Sequence, residues 1–207
     1  MKTILFQGDS ITDAKRNKED VWNLGQGYAN YVAGRLGLQQ PGAYQFLNRG
    51  INGNRIVDLY ARMKCDIVNL KPDYVSILIG VNDVWHEKDL KNGVSSAKFK
   101  KVYGMLLEEL REELPRTEII LMEPFVLPGT ATEDAIDWFC DEVALRAAAV
   151  RALSVEYGCS FVALQDDLNR LTTIAPAEYW LKDGVHPTSF FHQFIADKWL
   201  ETFQTML

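Results

Sequence analysis

Ser10 closes the stretch Phe6-Gln7-Gly8-Asp9-Ser10, where a short apolar run ends in a glycine, an acid and a serine. A serine hydroxyl attacks an ester only when a neighbouring base removes its proton. The chain has three histidines to offer. His86 sits in Trp85-His86-Glu87, and His192 lies among Phe190, Phe191 and Phe194, where it reads as a packed or surface side chain. His186 differs, because it follows Asp183 by three residues across Gly184 and precedes Pro187, which biases it towards extended backbone. One loop then presents the imidazole to Ser10 while Asp183 accepts its other N–H, which is the logic of a Ser-His-Asp triad. A structural alternative stands beside this reading. Ser10-Ile11-Thr12-Asp13 has the spacing of a helix capping box, and Asp183 with His186 could simply shape the entrance to the last helix.

Ester hydrolysis also needs donors aimed at the oxyanion that forms on the carbonyl. Candidates are the Ser10 N–H, the backbone N–H of Gly50 and the side-chain amide of Asn82; the competing readings are a turn glycine and an Asx-turn. There is no Gly-x-Ser-x-Gly elbow and no His-Glu-x-x-His, and the histidines and acids lack metal-ligand spacing. Gly25-Gln26-Gly27 follows no strand and has no third glycine, so no dinucleotide site is expected. The expectation is catalysis without metal or cofactor. Cys65, Cys140 and Cys159 are odd in number and far apart, which excludes a disulfide framework, and Cys65 and Cys159 read as buried structural residues.

The 207 residues, 47% of them hydrophobic and 24% charged, suit one globular domain over 1–207. The formal net charge of −6 argues against nucleic acid or anionic lipid as partners and fits a small neutral substrate. No run reaches the roughly 20 apolar residues of a membrane span. Met1-Lys2 leads directly into Thr3-Ile4-Leu5-Phe6 without a long apolar leader, so a cytoplasmic protein is expected.

The elements that must position these groups alternate along the chain. Residues 3–7, 44–48, 73–79, 118–123 and 160–164 are short runs apolar on both faces, as in the centre of a parallel sheet. Helical stretches fall near 27–37, 54–69, 97–113, 134–157 and 189–205. In the third, Val102, Met105, Leu106, Leu110 and Leu114 recur at spacings of three and four, predicting one buried stripe ended by Pro115. The alternation predicts an α/β fold, a three-layer α/β/α sandwich on a five-stranded parallel sheet. In such sheets ligands bind beyond the carboxyl ends of the strands. Gly8-Asp9-Ser10, Asn48-Arg49-Gly50, Gly80-Val81-Asn82-Asp83 and Asp183-Gly184-Val185-His186 all converge there.

With GDSIT, NRGINGN, IGVND and DGVHP in this order, the chain resembles the SGNH (GDSL) hydrolase superfamily. The resemblance implies a flavodoxin-like hydrolase fold, Ser10 as nucleophile, His186 as base, Asp183 as its orienting acid, and Ser10, Gly50 and Asn82 as the oxyanion hole. GQGYANYV, KPDYVSILIGVNDVW and IILMEPF are similar to the acetylxylan esterase branch. That branch implies removal of small acyl groups, acetyl first, from sugar hydroxyls, and it leaves homo-oligomer assembly open. Asp9, Trp85 and Trp180 are then candidates for substrate contact. A lysophospholipase or thioesterase acting on longer acyl chains is the second reading. A non-catalytic flavodoxin-like binding module is the third, and it leaves the Asp183–His186 spacing without a purpose.

Overall fold

A computed structural model describes residues 1–207. Five strands, β1 (Lys2–Gly8), β2 (Tyr44–Asn48), β3 (Tyr74–Leu78), β4 (Glu118–Met122) and β5 (Ser160–Val162), pair in parallel in the order β2-β1-β3-β4-β5. The chain moves outward from β1 to β2 and then crosses back to β3, so the strand order reverses between β1 and β3. That reversal opens a crevice beyond their carboxyl ends, the switch point where open α/β sheets bind ligands. The register sets Gly8 opposite Leu78 and Asn48 opposite Phe6, which brings the loops after β1, β2 and β3 to one rim.

Alternation along the strands divides two cores. Ile4 and Phe6 of β1 face a layer made by α2 (Tyr28–Gln39) and α9 (Ser189–Gln204). Leu5 faces the opposite layer of α3 (Ile56–Asp66), α5 (Ser96–Glu113) and α6 (Ile136–Glu156). The three-layer sandwich predicted from the alternating pattern is the observed one. On the first face Trp199 is fully buried against Phe6 at 5.6 Å, and its Nε1–H donates to Ser76 Oγ at 3.0 Å. Cutting such a side chain back to alanine costs about 3–5 kcal/mol.

The five predicted helices are present within a few residues of their expected ends. Four others fall outside that list: α1 (Ser10–Asp13), α4 (Val81–Leu90), α7 (Gln165–Leu171) and α8 (Ala177–Trp180). The physical reason is length and pattern. One or two turns are too short to display a 3.6 period, and α4 opens with four consecutive buried residues in place of a stripe. Two side chains also lie on other faces than expected. In α5 the buried stripe is Phe99, Tyr103, Leu106, Leu107 and Leu110, while Met105 is exposed. In α3 the stripe is Ile56, Leu59 and Met63, which turns Cys65 outward to solvent.

Candidate active site

β1 ends at Gly8, where a side chain would have no room: a Cβ would stand 2.3 Å from the carbonyl oxygen of Leu78 on the neighbouring strand. The chain then enters α1. Asp9 is its cap, Oδ1 accepting the Ile11 N–H at 2.9 Å, and Ser10 is the first helical residue. The capping role expected of Ser10 therefore belongs to the residue before it, and this leaves the serine hydroxyl free for other work. The Ser10 N–H donates to no group of the protein.

Ser10 Oγ lies 3.0 Å from His186 Nε2, and His186 Nδ1 lies 2.7 Å from Asp183 Oδ2. The other carboxylate oxygen of Asp183 accepts the backbone N–H of Val185 at 3.0 Å and that of His186 at 2.8 Å. Burial alone would raise the Asp183 pKa, but these bonds to His186 and Val185 hold it down to about 2. The bond to Asp183 raises the His186 pKa above the ordinary value, against the opposing effect of burial. Of the three histidines, only His186 is bonded to Ser10. His86 lies across from Gly53. His192 is packed inside, accepting the Tyr28 N–H at 3.2 Å, and burial lowers its pKa to about 4.

The loop that carries the pair is clamped. Leu181 and Pro187 form an antiparallel bridge, and Lys182 N–H donates to His186 O at 2.8 Å. The segment 127–131 lies against it, with Leu127 N–H on Gly184 O at 2.9 Å and Ala131 N–H on Asp183 O at 3.0 Å. Gly184 adopts φ +94, in the left-handed region glycine tolerates.

Gly50 and Asn82 are buried and do not line the cleft that Ser10 and His186 share. A Cβ on Gly50 would stand 2.3 Å from the backbone nitrogen of Asp13, so its lack of a side chain lets the β2 loop close on α1. Its N–H is engaged by Asn48 Oδ1 at 2.8 Å. Asn82 Nδ2 donates to Asn54 O at 3.1 Å with one hydrogen, and its second remains free. Trp85 stands next to His186 with ring centroids 5.8 Å apart, its Nε1–H held by Asp89 at 2.7 Å.

Asp9 and Trp180, expected to touch substrate, do not line the cleft. Asp9 is 1% exposed because capping α1 turns it inward. Burial raises its pKa to about 7, against the bond from Ile11 and the pull of His186, and its Oδ2 has no partner. Trp180 is held by its indole N–H, which donates to Leu171 O at 3.0 Å, at the end of α7, and to Ala175 O at 3.1 Å beyond it.

Asn48 stands in the Asn48-Arg49-Gly50 motif with no role that the motif itself announces. It is fully buried and ties three segments together, since its Nδ2 donates to Thr12 O at 2.6 Å and Leu24 O at 2.8 Å while its Oδ1 holds Gly50. Its place at the carboxyl end of β2, two residues before Gly50, was the available signal. Arg62 does comparable work from α3, reaching Gln7 Oε1 at 2.6 Å, Arg49 O at 2.8 Å and Gly8 O at 3.2 Å.

The serine and histidine open onto a cleft of about 880 Å³, within the range of small-molecule sites. No group of three or more His, Cys, Asp or Glu side chains in the chain is arranged to hold a metal ion.

The profile of the GDSL-like lipase/acylhydrolase family matches residues 6–194. The chain belongs to this family. It is a carboxylic ester hydrolase, a serine esterase of the SGNH type. It is 36% identical over 206 residues to an acetylxylan esterase of Geobacillus stearothermophilus, covering 95% of this chain and 91% of that one. Among solved structures, a GDSL-like lipase from Parabacteroides merdae ATCC 43184 superposes with a TM-score of 0.93 at 35% identity, covering 98% of this chain and 95% of that one. The acetylxylan esterase Axe2 of G. stearothermophilus follows with a TM-score of 0.87 at 31% identity, covering 97% and 93%. Three further Axe2 structures are of catalytic mutants in which a serine, an aspartate and a histidine are each replaced by alanine, the last two three positions apart.

Proposed function

We propose that the protein removes short acyl groups, acetyl first, from the hydroxyls of acylated carbohydrates, with Ser10 as nucleophile, His186 as general base and Asp183 as its orienting acid. The observation that carries this reading is the continuous line of bonds from Ser10 Oγ through the imidazole to the Asp183 carboxylate. The order and three-residue spacing of Asp183 and His186 match the aspartate and histidine replaced in the Axe2 catalytic mutants.

In the first half-reaction Ser10 Oγ bonds to the ester carbonyl carbon as its proton passes to His186 Nε2. The tetrahedral oxyanion then collapses, the C–O bond to the sugar breaks, and His186 returns the proton to the departing hydroxyl. In the second half, His186 takes a proton from water, whose oxygen attacks the acyl-enzyme carbonyl; the bond to Ser10 Oγ then breaks, His186 returns the proton to that oxygen, and the carboxylic acid leaves. The Ser10 N–H and the free hydrogen of Asn82 Nδ2 are the oxyanion donors. Gly50 contributes its N–H as third donor only by sharing it with Asn48. Each such donor is worth about 2.7–4 kcal/mol in the transition state. Trp85 walls the site beside His186.

The cleft supports a short acyl group on a polar alcohol over a long acyl chain, because charged and polar side chains such as Lys15, Arg16, Lys182, Asn52 and Thr188 make up most of its lining. The test is acetate release from a panel of acetylated sugars, beside an ester series from acetate to decanoate. Preference for acetate and for acetylated sugars is expected. A rate that climbs towards decanoate would overturn the acetyl assignment.

A further inference from the structure

The charge of the cleft runs against the charge of the chain. The net charge of −6 suggests a neutral ligand. Yet the cleft beside Ser10 is lined by four cations, Lys15, Arg16, Lys18 and Lys182, against only the carboxylates of Asp13 and Asp183. Both carboxylates are already taken, Asp183 by His186 and Asp13 by Lys18 at 3.4 Å. Lys15, Arg16 and Lys182 have no carboxylate within 4.0 Å.

Arg16 is the most telling of these. It is half-buried, and its Nε–H donates to Gly50 O at 3.1 Å, which ties the guanidinium to the loop beside the nucleophile. Its two terminal nitrogens donate to nothing in the protein. A partly desolvated guanidinium whose two terminal nitrogens are unengaged by the protein can take an anion there, and its planar geometry suits two-pronged binding. The turn that delivers it is itself held in an unfavourable conformation, with Ala14 at φ +43 and Lys15 at φ +61. Lys182 stands on the triad loop one residue before Asp183 and lines the same cleft.

We propose that the cleft selects esters whose sugar portion carries a negative charge near the acylated hydroxyl, with the Arg16 fork binding that group and Lys15, Lys18 and Lys182 attracting it. This rests on the esterase reading of the same cleft and narrows its substrate class. A carboxylate, as on a uronic acid, and a phosphate share the chemistry such a fork recognises.

Three mono-acetylated glycosides that differ only at the sixth carbon separate the cases: the uronate, its neutral uronamide and the 6-phosphate. With the wild-type protein at low salt, kcat/KM for a charged substrate is expected to exceed that for the uronamide by about tenfold or more. The ratio falls as ionic strength rises. It also falls in Arg16→Gln, and the ratio within each variant cancels general damage to the catalytic centre. Preference for the uronate assigns the site to carboxylates, and preference for the 6-phosphate assigns it to phosphoryl groups. Equal or better turnover of the uronamide overturns the proposal. If neither these glycosides nor 4-nitrophenyl acetate is hydrolysed, the esterase reading fails on its own. Calorimetric binding of glucuronate and glucose 6-phosphate against glucuronamide then decides the anion site separately, with equal affinity for all three overturning it.

Discussion

Asp183 grips His186 at two points: Oδ2 meets the ring Nδ1 at 2.7 Å, and Oδ1 accepts the residue's own backbone N–H at 2.8 Å. The carboxylate thus sets both where the imidazole sits and which nitrogen faces Ser10. A ring with Nδ1–H committed to Asp183 offers an unprotonated Nε2 to the hydroxyl.

The first prediction follows from that grip. Asp183→Asn keeps the shape but offers an amide in place of an acceptor, so kcat on an acetate ester should fall on the order of 10³- to 10⁴-fold. The acidic limb of the pH–rate profile should move too. The bond to Asp183 raises the pKa of His186, so the wild-type rate should climb with pH through a value above the ordinary 6.5. In Asp183→Asn the same limb should shift to lower pH. Steady-state kinetics across pH in both proteins checks the direction, and a fixed limb would break the assignment.

Asp9 should make the fold less stable as pH rises. Burial raises its pKa to about 7 from the ordinary 3.8. Between those values the folded state holds a proton that the unfolded chain has released, so stability is greatest below the unfolded pKa and declines up to the folded one. Asp9→Asn keeps a cap on α1 and removes the titration. Scanning calorimetry from about pH 4 to pH 7 should show the variant gaining on the wild type as pH increases. A constant difference across that window would contradict the pKa.

Asn48→Ala removes three buried hydrogen bonds and leaves the Thr12 and Leu24 carbonyls and the Gly50 N–H unmatched. Each orphaned buried group costs about 1–3 kcal/mol. A drop in Tm of many degrees is expected, with kcat on small esters falling further than the stability loss explains. Asn48→Asp retains the acceptor for Gly50 but sets a carboxylate oxygen against the Thr12 and Leu24 carbonyls, so it should not restore the lost stability.

Two glycines should respond in opposite directions. Gly34 lies exposed in α2 with no atom within 4 Å of an added Cβ, so Gly34→Ala should stabilise by about 1 kcal/mol through helix propensity. Gly50→Ala meets backbone at 2.3 Å, where no side chain can rotate away. It should lower Tm and reduce kcat/KM at least tenfold, about the factor that 1.4 kcal/mol of lost transition-state stabilisation produces. Denaturant titration of both variants distinguishes the signs.

Much of this protein was legible in its residues because the decisive signals are local. Apolar runs such as Thr3–Gln7 and Tyr44–Asn48 declare strands through period and composition. The longer stripes between them declare helices, and their alternation leaves few arrangements beyond a parallel sheet with helices on both faces. Since the chemical motifs follow strand ends, the same alternation placed them at one rim before any contact was known.

What tertiary structure decided is whatever depends on packing between distant segments. Ser10 and His186 stand 176 residues apart in the chain, and only the closed sheet and the clamped 181–187 loop bring them to 3.0 Å. Asp9 turning inward, Trp180 being tied to the end of α7, and Asn48 holding the Gly50 N–H all follow from neighbours that no local pattern names. The cleft's charge has the same origin. A net charge is a sum over the whole surface, whereas the field at a site is set by the few groups folded around it, and here Lys15, Arg16, Lys18 and Lys182 come together on an otherwise acidic chain.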